Sequence, residues 1–189
     1  MNNKIQVIDD FLEPEEFKEL ENRFFSADEN GLMHMSWHTS WGVNHSSDDY
    51  FQFNHTFYLD NAPQSDQSDI IIPIIRKIPN LLSFIRIKAN LLTRTQKHDF
   101  HGYHVDVLNV QGLPHKTAIF YCNTTNGWTQ FENGKKVECI GNRMVIFDGQ
   151  LEHSSVSQTD EPFRVVINFV YIEEDFGVDN MEEPATLAV

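Results

Sequence analysis

The residues best suited to chemistry are His104-Val105-Asp106, His153 forty-seven positions beyond Asp106, and Arg164 eleven further on. On an extended strand, side chains two apart point to the same side, so His104 and Asp106 present an imidazole and a carboxylate together. A second imidazole from a distant strand, His153, completes three ligands around a metal. Two histidines and one carboxylate suit non-haem Fe(II), because they leave positions open for a bidentate co-substrate and dioxygen. Arg164 opens the run Arg164-Val165-Val166-Ile167-Asn168, whose alternation puts Arg164, Val166 and Asn168 on one face. A guanidinium there can grip a carboxylate through two parallel hydrogen bonds. Thr117, Ile119 and Tyr121 share a face of an earlier strand, where the Tyr121 phenol is placed to hydrogen-bond the same carboxylate.

Other chemistry-bearing residues have plainer readings. His98, His101 and His104 are spaced by three, as on a helix, but Asp99 and Gly102 argue for a loop near the site entrance. His115 begins a strand. Between residues 32 and 61, Trp37, Trp41, Tyr50, Phe51, Phe53, Phe57 and Tyr58 interleave with His34, His38, His45 and His55. Aromatic core packing with solvated histidines is the favoured reading of that stretch; a substrate lid built on Trp37, His38 and Trp41 is the alternative. Arg143 reads as an exposed or salt-bridged arginine. Ser154 and Ser155 lack a Gly-x-Ser-x-Gly elbow and read as structural.

The elements that must position these groups follow from periodicity. Ile5–Ile8 is a short strand. Pro14 with Glu15 and Glu16 starts a helix that runs to about Phe25, with Phe11, Phe17, Leu20, Phe24 and Phe25 at helical spacing. Ser68 to Ile78 reads as a second helix, ended by Pro79-Asn80 and weakened by Pro73. From residue 82 the pattern turns to strands: Phe84–Leu92, Tyr103–Asp106, Lys116–Asn123, Trp128–Phe131, Val137–Ile140, Arg143–Phe147, His153–Ser157 and Phe163–Ile172. Asn126-Gly127 and Asn133-Gly134 predict type I′ hairpin turns, and Gly141-Asn142 a further turn. About eight short strands at close intervals predict a mainly β fold with flanking helices, a barrel or jelly roll. The expected organisation is one domain over residues 1–172, with a helical part (1–81), a jelly-roll core (82–172) and an acidic tail (173–189).

Composition narrows the partners. The 189 residues, 40% hydrophobic with fifteen Phe, can bury a sizeable core, which excludes a disordered or collagen-like chain. A formal charge of -14 disfavours nucleic acid and anionic lipid, because it repels phosphate. Arg86, Lys88 and Arg94 are the nearest approach to a basic patch, thinly spaced. There is no apolar run of bilayer length and no export signal, so the expected setting is the cytoplasm, with Cys122 and Cys139 as reduced thiols.

At this point the chain resembles the Fe(II)- and 2-oxoglutarate-dependent oxygenases, in particular their prolyl-4-hydroxylase-like branch. The resemblance covers roughly Phe84 to Tyr171, close to half the chain. His104, Asp106 and His153 match the family's iron ligands, and Arg164 the basic residue that pairs with the C5 carboxylate of 2-oxoglutarate. Thr117-Ala118-Ile119-Phe120-Tyr121-Cys122-Asn123 resembles the strand ending in Tyr-Leu-Asn, whose Tyr helps bind that carboxylate. Gly127-Trp128-Thr129-Gln130-Phe131 resembles a Gly-Gly-x-x-x-Phe segment with Trp128 in place of the second Gly, and Asn142–Phe147 the strand leading to the distal His. The tyrosine many members carry before the HxD motif is not evident; Asn90 or Arg94 lies nearby instead. The resemblance implies a double-stranded β-helix, Fe(II), 2-oxoglutarate as co-substrate with Arg164, Tyr121, Thr117, Asn168 and Asn90 around it, and ascorbate as an auxiliary. It further implies hydroxylation of a C–H bond with release of succinate and CO2, on a small-molecule, peptide or protein substrate. A cupin-type metalloenzyme that needs no 2-oxoglutarate and a non-catalytic jelly-roll binding module are the rival readings. Substrate identity and oligomeric state are not legible.

Overall fold

A computed structural model of the chain describes residues 4–41, 51–108 and 114–174. Its elements run β1 (Gln6–Ile8), α1 (Pro14–Phe25), β2 (His38–Trp41), β3 (Phe51–Leu59), β4 (Ala62–Pro63), a 3-10 turn (Ser68–Ile71), α2 (Ile72–Lys77), β5 (Leu81–Thr93), β6 (Lys116–Tyr121), β7 (Trp128–Phe131), β8 (Lys136–Glu138), β9 (Arg143–Asp148), β10 (His153–Val156) and β11 (Phe163–Glu173). Eight of the strands form one antiparallel sheet, β1-β9-β6-β11-β5-β3-β2 with β4 beside β3, and β10-β7-β8 form a second. The fold is therefore mainly β, a jelly roll with helices laid against one face.

Alternation along the strands separates two apolar layers. On β5, Ile87, Ala89 and Leu91 point away from the small sheet, toward Leu20 and Phe24 of α1 and Ile71 and Ile74 of the second helical segment. Phe120, Ile146, Ile167 and Phe169 join that layer. The opposite face of the large sheet, carrying Ile119, Tyr121, Val145, Phe147 and Val166, packs on Phe131, Val137 and Leu151 of the small sheet and its connections. The site lies between the sheets, where polar side chains replace apolar ones toward β5 and β3.

Several expectations need correction in detail. The second helix begins as a 3-10 turn, and α2 starts at Ile72 so that Pro73 falls in its first turn, where the absent N–H costs nothing. Tyr103–Asp106 is not a regular strand. Single bridges, Phe100 to Val156 and His104 to His153, hold this segment to the edge of β10, and the register slips by one residue between them. Asn133-Gly134 does close a hairpin, but only Gly134 has positive φ, at 83°. Gly134 N–H donates to the Phe131 carbonyl and Phe131 N–H to the Lys135 carbonyl, so the loop has three residues rather than two. Asn126-Gly127 makes no such turn. Gly127 is required instead by close approach: an added Cβ would lie 2.8 Å from the Val156 carbonyl and 3.3 Å from Cδ of Arg164.

Cys122 and Cys139 are free, buried thiols in different apolar layers. Among the described residues, no helix is long and apolar enough to cross a membrane.

Candidate metal centre

The two histidines converge because the backbone pairs them. His104 N–H donates to the His153 carbonyl and His153 N–H to the His104 carbonyl, each at 3.0 Å. Directly opposed residues of an antiparallel pair put their side chains on one face, and the imidazole centroids stand 4.8 Å apart. Asp106, two residues past the bridge, turns back toward them, with its Oδ2 3.6 Å from Nε2 of His153. One ligand atom each from His104, Asp106 and His153 lies within 4.8 Å of the others, a grouping able to hold a metal ion.

Their orientation is set by neighbours. Nδ1 of His104 faces the Gly102 carbonyl at 3.3 Å, and Nδ1 of His153 faces the Leu151 carbonyl at the same distance. A carbonyl only accepts, so each Nδ1 carries the proton and each Nε2 keeps its lone pair for a metal. Burial lowers the His104 pKa, aided by the adjacent His153, which favours the neutral form that ligation needs.

Asp106 is held from across the large sheet. Its Oδ1 accepts from Nη2 of Arg86 on β5 at 2.7 Å, and Asn168 Nδ2 on β11 donates to both carboxylate oxygens at 3.2 and 3.3 Å. Burial alone would raise this carboxyl, but the adjacent His153 and the Arg86 guanidinium outweigh it and hold the group far below the usual carboxylate range.

At the other end of the cavity stands Arg164, 2% exposed. It lies opposite Leu92 of β5, donates from Nη1 to Ser155 Oγ, and has its guanidinium carbon 5.7 Å from the Tyr121 ring centre. Its buried Nε makes no hydrogen bond. A buried, incompletely satisfied guanidinium is built to receive an anion.

Gln52, Asn90, Leu92, Thr129, Ser155 and Asn168 line the cavity with His104, His153 and Arg164. Asn90 and Asn168 thus lie in the cavity wall, and Oδ1 of each is buried without a partner. Tyr121 and Thr117 stand back from the lining. Tyr121 donates to Thr129 Oγ1 at 2.7 Å, and burial pushes its pKa up to about 12, so it remains a neutral phenol. Thr117, on the same face of β6, is fully buried with an unpartnered hydroxyl.

Some participants escaped sequence reasoning. Ser155, read as structural, is the side-chain partner of Arg164. Arg86, read as part of a thin basic patch, is the partner of Asp106. His101, read as a loop residue, is buried, and burial together with the Arg164 charge pulls its pKa down to about 4. The lid reading also changes. Trp37 packs on Phe24 at 6.1 Å in the helix-side layer. His55 is bound to Ser36 O and Ser65 Oγ, while His38 is exposed on β2 opposite Asn54. His45 and Tyr50 lie outside the described residues. Arg143 is salt-bridged as expected, to Asp9 at 2.5 Å.

Solved structures share this architecture. A Pseudomonas putida prolyl-4-hydroxylase matches with a TM-score of 0.56 at 13% identity, over 92% of this chain and 94% of its own. A 2OG-Fe(II) oxygenase family oxidoreductase from Burkholderia pseudomallei matches at 0.62 and 8%, over 90% and 85%. The fold is that of the 2OG-Fe(II) oxygenases. Within that fold chemistry varies: SnoN, a non-heme alpha-ketoglutarate-dependent epimerase from nogalamycin biosynthesis, matches at 0.58 and 11%, over 99% and 87%. No family model and no curated protein sequence matches the chain.

Proposed function

We propose that this chain is an Fe(II)- and 2-oxoglutarate-dependent dioxygenase that hydroxylates a C–H bond, on a prolyl or other amino-acid unit, with release of succinate and CO2. The observation that carries the proposal is the pairing of a His-Asp-His cluster with a buried arginine at the far end of the same cavity. A cupin-type metal site without 2-oxoglutarate has no need of that arginine.

His104, His153 and Asp106 would hold Fe(II), which supplies the dioxygen chemistry when bound with its keto-acid co-substrate. The donor set fits: two imidazoles whose Nδ1 atoms face backbone carbonyls, and one carboxylate kept ionised with the help of Arg86. Arg164 binds the distal carboxylate of 2-oxoglutarate, and Ser155 fixes the guanidinium so that little side-chain freedom is lost on binding. Tyr121 and His101, both uncharged near neutral pH, flank Arg164 without competing for its charge. Asn90, Gln52 and Asn168 offer amides to the oxygens of co-substrate or substrate.

Anaerobic addition of Fe(II) and then 2-oxoglutarate tests the reading. The expected result is the weak visible charge-transfer absorption of a chelated keto acid. Iron binding without that absorption overturns it.

A further inference from the structure

β5 turns four side chains to the site face: Arg86, Lys88, Asn90 and Leu92, opposite Val170, Asn168, Val166 and Arg164 of β11. Three of them have evident work. Arg86 holds Asp106, while Asn90 and Leu92 line the cavity. Lys88 has none. It stands between Asn168 on β11 and Thr56 on β3, neither of them charged. Among the described residues no carboxylate pairs with its ammonium.

The side chain is half-buried. Burial pulls its pKa down to about 8, with Arg86 acting the same way and Asp106 against it. Its charge is also felt at His104. An unpaired ammonium in partial burial is costly, and an apolar residue would relieve that cost. The placement is favourable when a ligand brings the missing anion.

Location says which ligand. Arg164 is at the Leu92 rung, four residues along β5 from Lys88, or about 13 Å at about 3.3 Å per residue. Asn168, directly opposite Lys88, holds the metal-binding carboxylate. Lys88 therefore lies toward the metal-ligand end of the site, on the side away from Arg164. Arg86 is engaged by Asp106 and Arg164 by 2-oxoglutarate, so Lys88 is the cation left over, in a chain whose net charge is -14.

Building on the oxygenase reading, we propose that Lys88 receives the carboxylate of an anionic substrate and so presents the neighbouring carbon to the metal centre. One ammonium suits a singly charged carboxylate; a phosphate dianion would call for a second free cation beside it.

Calorimetric titration of the Zn(II)- and 2-oxoglutarate-loaded protein tests this. One arm compares N-acetyl-L-amino acids with their C-terminal amides, for a free-acid substrate. The other compares capped peptides bearing Asp or Glu with their Asn or Gln counterparts, for an acidic peptide. In one arm the acid should bind at least about tenfold more tightly than its neutral partner, the scale of a charged hydrogen bond. Lys88→Met and Lys88→Gln should each erase that preference, Lys88→Arg should retain it, and 2-oxoglutarate affinity should stay unchanged in all three. The proposal is overturned by an absence of acid preference in both arms, by its persistence in Lys88→Met or Lys88→Gln, or by equal loss of 2-oxoglutarate binding, which would make Lys88 a co-substrate anchor. Failure of the wild type to bind 2-oxoglutarate would sink the oxygenase reading separately, and the acid–amide comparison can still be made on the Zn(II) form.

Discussion

Each candidate metal ligand depends on a particular neighbour, so single substitutions separate positioning from ligation. Replacing Arg86 by Gln removes the charged partner of Asp106 while leaving all three ligands in place. Fe(II) affinity should fall about 10- to 100-fold, the usual cost of losing a group that orients a ligand, as read by competitive metal titration. Arg164→Ala should behave in the opposite manner, weakening 2-oxoglutarate binding by an order of magnitude or more while sparing iron. Unchanged affinity for the keto acid would show that its anchor lies elsewhere. His101 supplies a pH test. Its folded-state pKa, about 4, lies below the ordinary histidine value of about 6.5, so the unfolded chain binds the proton first. Its contribution is complete above about pH 6.5 and is lost as pH falls toward 4, by about 2–3 kcal/mol. Chemical denaturation of wild type and His101→Gln at pH 7 and pH 4.5 should show the smaller drop in the variant.

At the level of elements, one turn residue adds a side-chain clasp between the sheet and the approach to α1, beyond the pairing of β1 with β9. Asn142 has positive φ, at 64°, just ahead of β9. Its Oδ1 accepts from Leu12 N–H at 2.8 Å and its Nδ2 donates to the Leu12 carbonyl at 2.9 Å, so the side chain imitates a strand partner for the start of α1. Asn142→Ala leaves two backbone groups unpaired and puts a Cβ-bearing residue without a local hydrogen bond into the left-handed region. A loss of about 2–4 kcal/mol in urea denaturation is expected. A loss below about 1 kcal/mol would mean that water substitutes for the side chain. Gly127 plays a comparable part beside Arg164, where contact with β10 leaves no room for a methyl group.

For the whole molecule, the site draws on both sheets: His153 from the small one, Asn168 and Arg164 from the large one, and His104 from the segment between β5 and β6. Ligands bridging these parts stabilise the folded state by mass action. Mn(II) as an iron surrogate and 2-oxoglutarate, each at about 100 times its Kd, should contribute about 2.7 kcal/mol apiece. For a chain of this size that raises Tm by about 10 °C or more in total, and chelation by EDTA should reverse the shift. A flat melting profile would show that the ligands do not bind the folded chain. Against a net charge of -14, Arg86, Lys88 and Arg164 bring three cations to the site face of β5 and β11 among the described residues.

Much of this was legible in the chain alone. Period-two alternation in Phe84–Leu92 and Phe163–Ile172 marked the two long strands and the face that carries Asn90, Arg164 and Asn168, since alternation is a local property of extended backbone. The types and order of His104, Asp106, His153 and Arg164 pointed to the proposed chemistry. What the chain alone left open was every pairing that spans distance. His104 meets His153 through a single irregular bridge at a sheet edge, with no period to detect. Arg86 and Lys88 look alike in sequence, yet one closes on Asp106 and the other stays unpaired, because only the register of β5 against β11 decides which carboxylate is within reach. Ser155 and Gly127 owe their roles to the approach of Arg164 from another strand. Local backbone preference selects the elements; the matching of remote surfaces selects which side chains meet.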